Sequence, residues 1–358
     1  MNILLDNVNL SSTSGPNHFG RKLKLGFETA GHTCQTDVTN PDIQLSFIET
    51  RKHAADVPLV LRMDGIYFDT ESDFVSQNKN ILRCYKMASG VIFQSEYCKE
   101  LIFKFFGEHQ NHEVIHNGAD LGYISSIEPM QNELTTKFDN VWSCASSWYY
   151  NNNPNTPRRW KRLKENVEFF LEYGKVNDCL VVAGDVHPKD RTLHDRIFYV
   201  GRLQPDELFS LYKASKHFLH LASPDACPNV VVDARASGCK IICSSLGGAK
   251  EIAGPDALVV EEDEWDYTPM QLNGSRPMNL TNIGPNCYNV EMDMSVVTQR
   301  YLSFLNNTLE QQLSVPSRDP LREQLTAFKN YVETGDGGEL TTLQDGLCAL
   351  QIALGEKE

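Results

Sequence analysis

The sequence predicts an α/β protein made of two parallel-sheet halves. Three observations predict it. Short apolar runs alternate with stretches of helical period, the pattern of strands joined through crossover helices. That alternation lapses at 123–137 and then starts again. The 358 residues of the chain suit about two domains, at roughly 100–200 residues each.

In the first half, 2–5 reads as a strand, SSTSGPN as a small-residue loop, and 18–30 as a helix closed by Gly31. Strand, glycine-containing loop and helix open a nucleotide-binding α/β unit. Strands are expected at 43–48, 59–62, 90–94 and 113–116, with helices at 76–87 and 95–106. In the second half, strands are expected at 141–145, 179–183, 197–200, 217–221 and 240–244, and helices at 162–173, 205–214 and 229–237. The segment 123–137 is the expected linker. The stretch 262–290, rich in Pro, Asn and Gly, is expected to be irregular, and two more helical patterns follow 313.

Apolar residues make up 41% and charged residues 22%, a globular balance that lets each half bury a core. The net charge of −14 argues against nucleic acid as a partner, because holding a phosphate backbone takes a basic surplus. The ten cysteines form no C-x-x-C pair and no zinc spacing, so they read as buried, reduced thiols. The opening MNILLDNVNL lacks the features of a signal peptide, and no run approaches the ~18 apolar residues of a membrane span. A cytoplasmic location is expected. The stretch 95–106, apolar with lysines, has a composition compatible with peripheral membrane contact as well as with a core-facing helix.

Three features of the second half carry chemistry. The first is the basic run Arg158-Arg159-Trp160-Lys161-Arg162-Leu163-Lys164, after a strand end and at a helix start. Ligands of open α/β sheets sit beyond the carboxyl ends of strands, and cations there suit a diphosphate. The second is SPDACPNVVVD, from Ser223 to Asp233, a loop between a strand and a helix. Free amides at that helix start can hold an anion or a hydroxyl. Asp225 also suits a helix cap, and Asp233 an exposed helix position. The third is Leu246-Gly247-Gly248-Ala249-Lys250-Glu251-Ile252, whose paired glycines permit a close backbone approach.

Taken in order, these features resemble the retaining GT-B glycosyltransferases of the large family four, group one type. That family places an Arg and a Lys at a strand end, then a Glu, seven residues, Glu motif, then a GG-x-x-E loop. Here Asp225, seven residues and Asp233 are followed by ASGCKIICSS and GGAKEI. VIHNGAD, 114–120, is similar to the family's V-I-x-N-G-V-D, and SGPNHFGRKLKLGFETAGH resembles its glycine loop and first helix. The match covers roughly residues 1–255.

The resemblance implies a GT-B architecture: two Rossmann-like domains facing across a cleft, 1–128 on the acceptor side and 129–313 on the donor side. A helical tail, 314–358, would follow and pack back on the first domain. It implies a metal-independent, retaining transfer of sugar from a UDP- or GDP-sugar to a glycan or other hydroxyl acceptor, with no cofactor. Lys161 and Arg158 would neutralise the diphosphate and Asp225 would hold the donor sugar. Gly15, Arg159, Pro228, Asn229, Val230 and Asp233 would complete the donor site, Asp233 on the ribose. Asp64 would face the acceptor, and it also suits a turn cap. His116 and Asn117 would support the hinge.

The chain departs from the pattern. Aspartates at 225 and 233 replace glutamates, each one methylene shorter, and YYNNNPNTP looks like an insertion before the basic run. Which of Arg158 and Arg159 meets phosphate stays open. An epimerase or phosphorylase on the same scaffold, or a non-catalytic sugar-nucleotide or glycan binder, are the alternative readings.

Overall fold

The computed structural model describes residues 1–314 except 13–14, 38, 52–53, 55–56 and 275. The expected tail therefore lies outside the described residues beyond Ser314.

The first half runs β1 (Asn2–Asp6), α1 (Gly15–Thr29), β2 (Thr33–Gln35), β3 (Ile43–Phe47), β4 (Leu59–Met63), α2 (Phe74–Met87), β5 (Gly90–Phe93), α3 (Glu96–Phe106) and β6 (His112–Val114). Its parallel sheet has the order β2-β1-β3-β4-β5-β6. β3, β4 and β5 are buried along their whole length, as expected of a parallel sheet covered on both faces; β5 is apolar throughout, whereas β3 buries Gln44 and Ser46 and β4 buries Arg62. α3 starts at Ser95, whose side chain accepts from the Cys98 amide at 3.0 Å. Its apolar face, Tyr97, Cys98, Leu101 and Ile102, is buried, so the core-facing reading of 95–106 is the one realised.

The expected linker holds two short helices, α4 (Leu121–Ser126) and α5 (Glu133–Lys137). Each spans fewer than two turns, too short to show a period, and each is held by a side-chain cap, Asp120 and Asn132.

The second half runs β7 (Asn140–Ala145), α6 (Leu163–Tyr173), β8 (Asp178–Ala183), β9 (Ile197–Gly201), α7 (Pro205–Ala214), β10 (Ser215–His220), α8 (Asn229–Ala236), β11 (Lys240–Ser244), α9 (Ala249–Ile252), β12 (Leu258–Val260) and β13 (Ile283–Pro285). The sheet order is β13-β12-β11-β10-β7-β8-β9, parallel apart from β13. The strand order reverses at β7, between β10 and β8. The crevice such a reversal opens lies at the strands' carboxyl ends, where the loops after β7 and β10 begin.

α10 (Met294–Ser314) closes the described chain. It falls within the expected donor-side span 129–313, but its buried face packs into the first core. Val297, Tyr301, Leu302 and Leu305 lie with Ile3, Phe19 and Phe47. A backbone pairing starts this return: the Ala119 amide donates to Met292 O at 2.7 Å, and the Met294 amide to Ala119 O at 2.9 Å.

Among the described residues eight cysteines are free and buried, and Cys287 is free and exposed. Burial pushes the thiols of Cys98, Cys227 and Cys239 up to about 12, which keeps them protonated and unreactive. Among the described residues no helix is long and apolar enough to cross a membrane.

Candidate active site

The basic run divides into side chains with different tasks. A 3-10 turn, Arg159–Lys161, precedes Arg162 in the left-handed region at φ 54°, and α6 starts from there. This turn aims Lys161 at the loop after β10. Its Nζ lies 2.5 Å from Asp225 Oδ2 and 4.0 Å above the Trp160 ring. Arg162 points the other way, is buried, and makes a two-pronged pair with Glu262 at 2.7 and 2.6 Å. Glu262, in the acidic run 261–266, is the counter-charge of this buried guanidinium, an arrangement a buried cation requires.

Arg158 lays its guanidinium 4.6 Å over the Tyr150 ring, and its buried Nε has no hydrogen-bond partner. Arg159 is exposed, with its amide donating to Asn273 Oδ1 at 3.1 Å. Arg158 thus faces inward and Arg159 faces solvent.

Asp225 sits between two cationic or polarisable neighbours. His220 Nε2 is 3.4 Å from the carboxylate oxygen that Lys161 holds, without the alignment of a hydrogen bond. Burial opposes ionisation of Asp225, but the Lys161 ammonium outweighs it and holds the carboxyl well below the usual carboxylate range. Burial lowers the His220 imidazole against the pull of Asp225, so it is neutral near pH 7.

Pro228 is the N-cap of α8 and offers no side-chain cap bond, so the first amides of the helix face the loop uncapped. Asn229 Nδ2 donates to Gly15 O at 2.9 Å, bringing the first-half glycine loop onto the helix start. Val230 lies half-buried beside it. Asp233, one turn further, is buried rather than exposed. Its Oδ1 takes Lys22 Nζ at 2.9 Å, and the same ammonium donates to Gly118 O at 3.2 Å. Lys22 was not singled out from sequence; its place four residues into a predicted helix gave no sign of it.

Asp64 is engaged inside the first half. It forms an ion pair with Arg62, and its carbonyl accepts from Gln94 Nε2 at 2.9 Å. Arg62, 1% exposed, also donates to Asn117 Oδ1 at 2.7 Å and Tyr301 OH at 3.1 Å, between the rings of Phe19 and Phe47. Through Asn117 this cluster reaches the second half, since Asn117 Nδ2 donates to Cys227 O at 3.0 Å.

The GG-x-x-E loop fastens the halves. Glu251 accepts the Glu96 and Tyr97 amides at 2.8 and 2.9 Å, the first turn of α3, and His116 Nε2 at 2.8 Å. The glycines allow the approach: a Cβ on Gly248 would stand 1.8 Å from Ala226 O and 2.7 Å from Ser95 Oγ. The motif is visible in the sequence, but the task of Glu251 is not. The structure therefore brings Lys161 with Asp225 and Gly15 with Asn229, and ties Asp233 to α1. It leaves Arg159 in solvent and Asp64 on Arg62.

Residues 159–268 match the family described as glycosyl transferases group 1. No curated protein matches the chain. Among solved structures, Anabaena HepE in complex with UDP is similar at TM-score 0.58 and 13% identity, covering 86% of this chain and 100% of that one. A sucrose-phosphate synthase from Thermosynechococcus elongatus is similar at TM-score 0.54 and 13% identity, covering 93% and 99%. AviGT4, a glycosyltransferase involved in avilamycin A biosynthesis, is similar at TM-score 0.56 and 12% identity, covering 86% and 98%. At such identities the likeness is one of fold, and that fold is GT-B.

Proposed function

The chain carries a group 1 glycosyl transferase domain on the GT-B fold, and on that premise we propose that it moves a sugar from a UDP- or GDP-sugar to a hydroxyl acceptor, with retention and without a metal ion. The observation that carries this reading is the Lys161–Asp225 pair at 2.5 Å, set at the ends of β7 and β10 beside the uncapped start of α8. A fixed cation next to a carboxylate suits a donor whose sugar hydroxyls need an acceptor and whose diphosphate needs a counter-charge.

In the reaction, the bond from the anomeric carbon to the phosphate oxygen breaks and its electron pair stays on the diphosphate. The acceptor hydroxyl oxygen attacks the same face, and its proton passes to the departing phosphate. The leaving group itself serves as base, so a strong enzymic base is not required. Lys161 stabilises charge as it develops, the step where a preorganised cation acts most strongly. Asp225 holds the donor sugar, the α8 amides hold phosphate, and Asp233 holds the ribose. HepE was solved with UDP and, in another crystal, with UDP and glucose, which supports the donor class.

The test is thermal stability of the purified chain against nucleoside diphosphates and their sugar conjugates, without metal and then with magnesium. Binding to the folded state raises stability with ligand concentration. Selective stabilisation by one base series without metal is expected. No shift from any member at millimolar concentration overturns the donor site, and a shift that needs magnesium overturns the metal-free reading.

A further inference from the structure

Only one of the expected phosphate cations, Lys161, reaches the loop after β10. Arg158 is spent on the Tyr150 ring, and Arg159 faces solvent. A different guanidinium reaches that loop. Arg276, from the irregular segment between β12 and β13, donates from Nη2 to the Ser223 carbonyl, two residues before Asp225. Its Nη1 rests 3.4 Å from Met270 Sδ. The side chain is half-buried, and among the described residues no carboxylate lies within ion-pair distance of it. Glu262, whose charge acts on it, is already shared with Arg162.

Two more buried polar atoms lie on the same rim without partners. Ser223 Oγ is fully buried with no hydrogen bond, and Tyr97, 8% exposed, has none at its hydroxyl. Tyr97 lies in the field of both Arg276 and Asp225. Buried polar groups left unmatched in a folded chain call for a ligand or water. A guanidinium lacking a counter-charge calls for an anion, and its planar fork matches phosphate oxygens.

The segment that carries Arg276 is anchored rather than loose. The Thr70 amide donates to Met270 O and the Met270 amide to Phe68 O, both at 3.1 Å, and the Leu272 amide donates to Asp69 Oδ1 at 3.2 Å. Trp265 packs 4.8 Å from the Phe68 ring. The guanidinium is thus presented by a strap that crosses from the second half to the first.

We infer that Arg276 is the second cation on the donor diphosphate, in the part that the resemblance assigns to an arginine of the basic run. It exchanges the Ser223 carbonyl for a phosphate oxygen on binding. This rests on the nucleotide-sugar reading and adds to it a ligand from outside the family motif.

The experiment measures calorimetric affinity of the full chain for nucleoside, monophosphate and diphosphate, in the uridine and guanosine series, at two ionic strengths. The variants are Arg276→Gln, Arg276→Lys and Arg158→Ala. Glutamine keeps an N–H donor while removing the charge, and lysine keeps the charge without the fork. Arg276→Gln is expected to lose about tenfold or more of the preference for diphosphate over nucleoside, the worth of a charge-assisted contact, and to flatten the salt dependence. Arg276→Lys should recover part of the loss, and Arg158→Ala should keep the preference. An unchanged Arg276→Gln with a loss in Arg158→Ala overturns the assignment. Absence of any nucleotide binding by the unsubstituted chain overturns the donor reading itself, and this inference with it.

Discussion

Lys22 on the first helix and Asp233, 211 residues later in the chain, form a 2.9 Å ion pair with both side chains 10% exposed. The pair joins the two halves at the position where the ribose of a donor is expected. Lys22→Met leaves a buried carboxylate without its partner, which costs about 3–5 kcal/mol. The double variant Lys22→Met/Asp233→Asn should recover most of that stability in urea titrations and still bind nucleotide weakly. Asp233→Asn alone should erase the preference for ribose over 2′,3′-dideoxyribose nucleotides. A variant that still discriminates between those sugars removes Asp233 from the ribose.

Lys161 offers the most direct test of chemistry. Lys161→Ala is expected to lower the rate of donor turnover by about 10²–10³, the usual cost of removing one preorganised charge partner, while circular dichroism shows the fold retained. Asp225 should then ionise less readily, because burial remains and its main counter-charge is gone. Full turnover in a folded Lys161→Ala protein excludes it from the leaving group.

The sequence shows the strands of both sheets because most of their buried residues form short apolar runs, as Cys179 to Ala183 does in β8. The spacing of Asp225 and Asp233 is legible, but their ion-pair partners, Lys161 and Lys22, are brought to them only by the fold. The direction of each basic side chain is not legible. Lys161 and Arg162 are adjacent in sequence but point to opposite partners, since a left-handed residue lies between turn and helix. α10 went unassigned to its core because the residues it packs on, such as Phe19, are far away in sequence. Arg276 lies in a segment without period, where no local rule marks a side chain as inward.

Glu251 joins three groups of the first half, the Glu96 and Tyr97 amides and His116. Glu251→Ala orphans all three at once and should destabilise the protein by about 3 kcal/mol. Glu251→Gln, which keeps an acceptor, should fall between. Chemical unfolding reads the order, and an unchanged midpoint for the alanine variant would falsify the latch.

Gly248 has a steric rather than an electrostatic role. A methyl at this position meets the Ala226 carbonyl oxygen at 1.8 Å, and backbone cannot yield as a side chain would. Gly248→Ala should therefore displace the 225–228 loop and reduce nucleotide affinity, even where the protein remains folded. Unaltered affinity shows that the loop can relax without moving Asp225.

His217 sets an acid limit on stability. Its ring stands edge-on to Trp142 at 4.2 Å, and its buried Nδ1 has no partner. Burial, with Lys216 and Lys240 adding to it and Asp178 opposing, pushes the imidazole down to about 4 from 6.5. Between those values the unfolded chain binds a proton that the folded chain does not, so stability rises with pH across this window. The contribution is fully present above about pH 6.5 and is lost as pH falls toward 4. His217→Gln removes the titrating group, so its urea midpoint should fall less between pH 7.5 and 5.0 than that of the unsubstituted protein. His220 and His18 are also lowered by burial and should leave a residual slope of the same sign. An identical slope in His217→Gln would mean that the ring gains its proton in the fold as easily as in the unfolded chain.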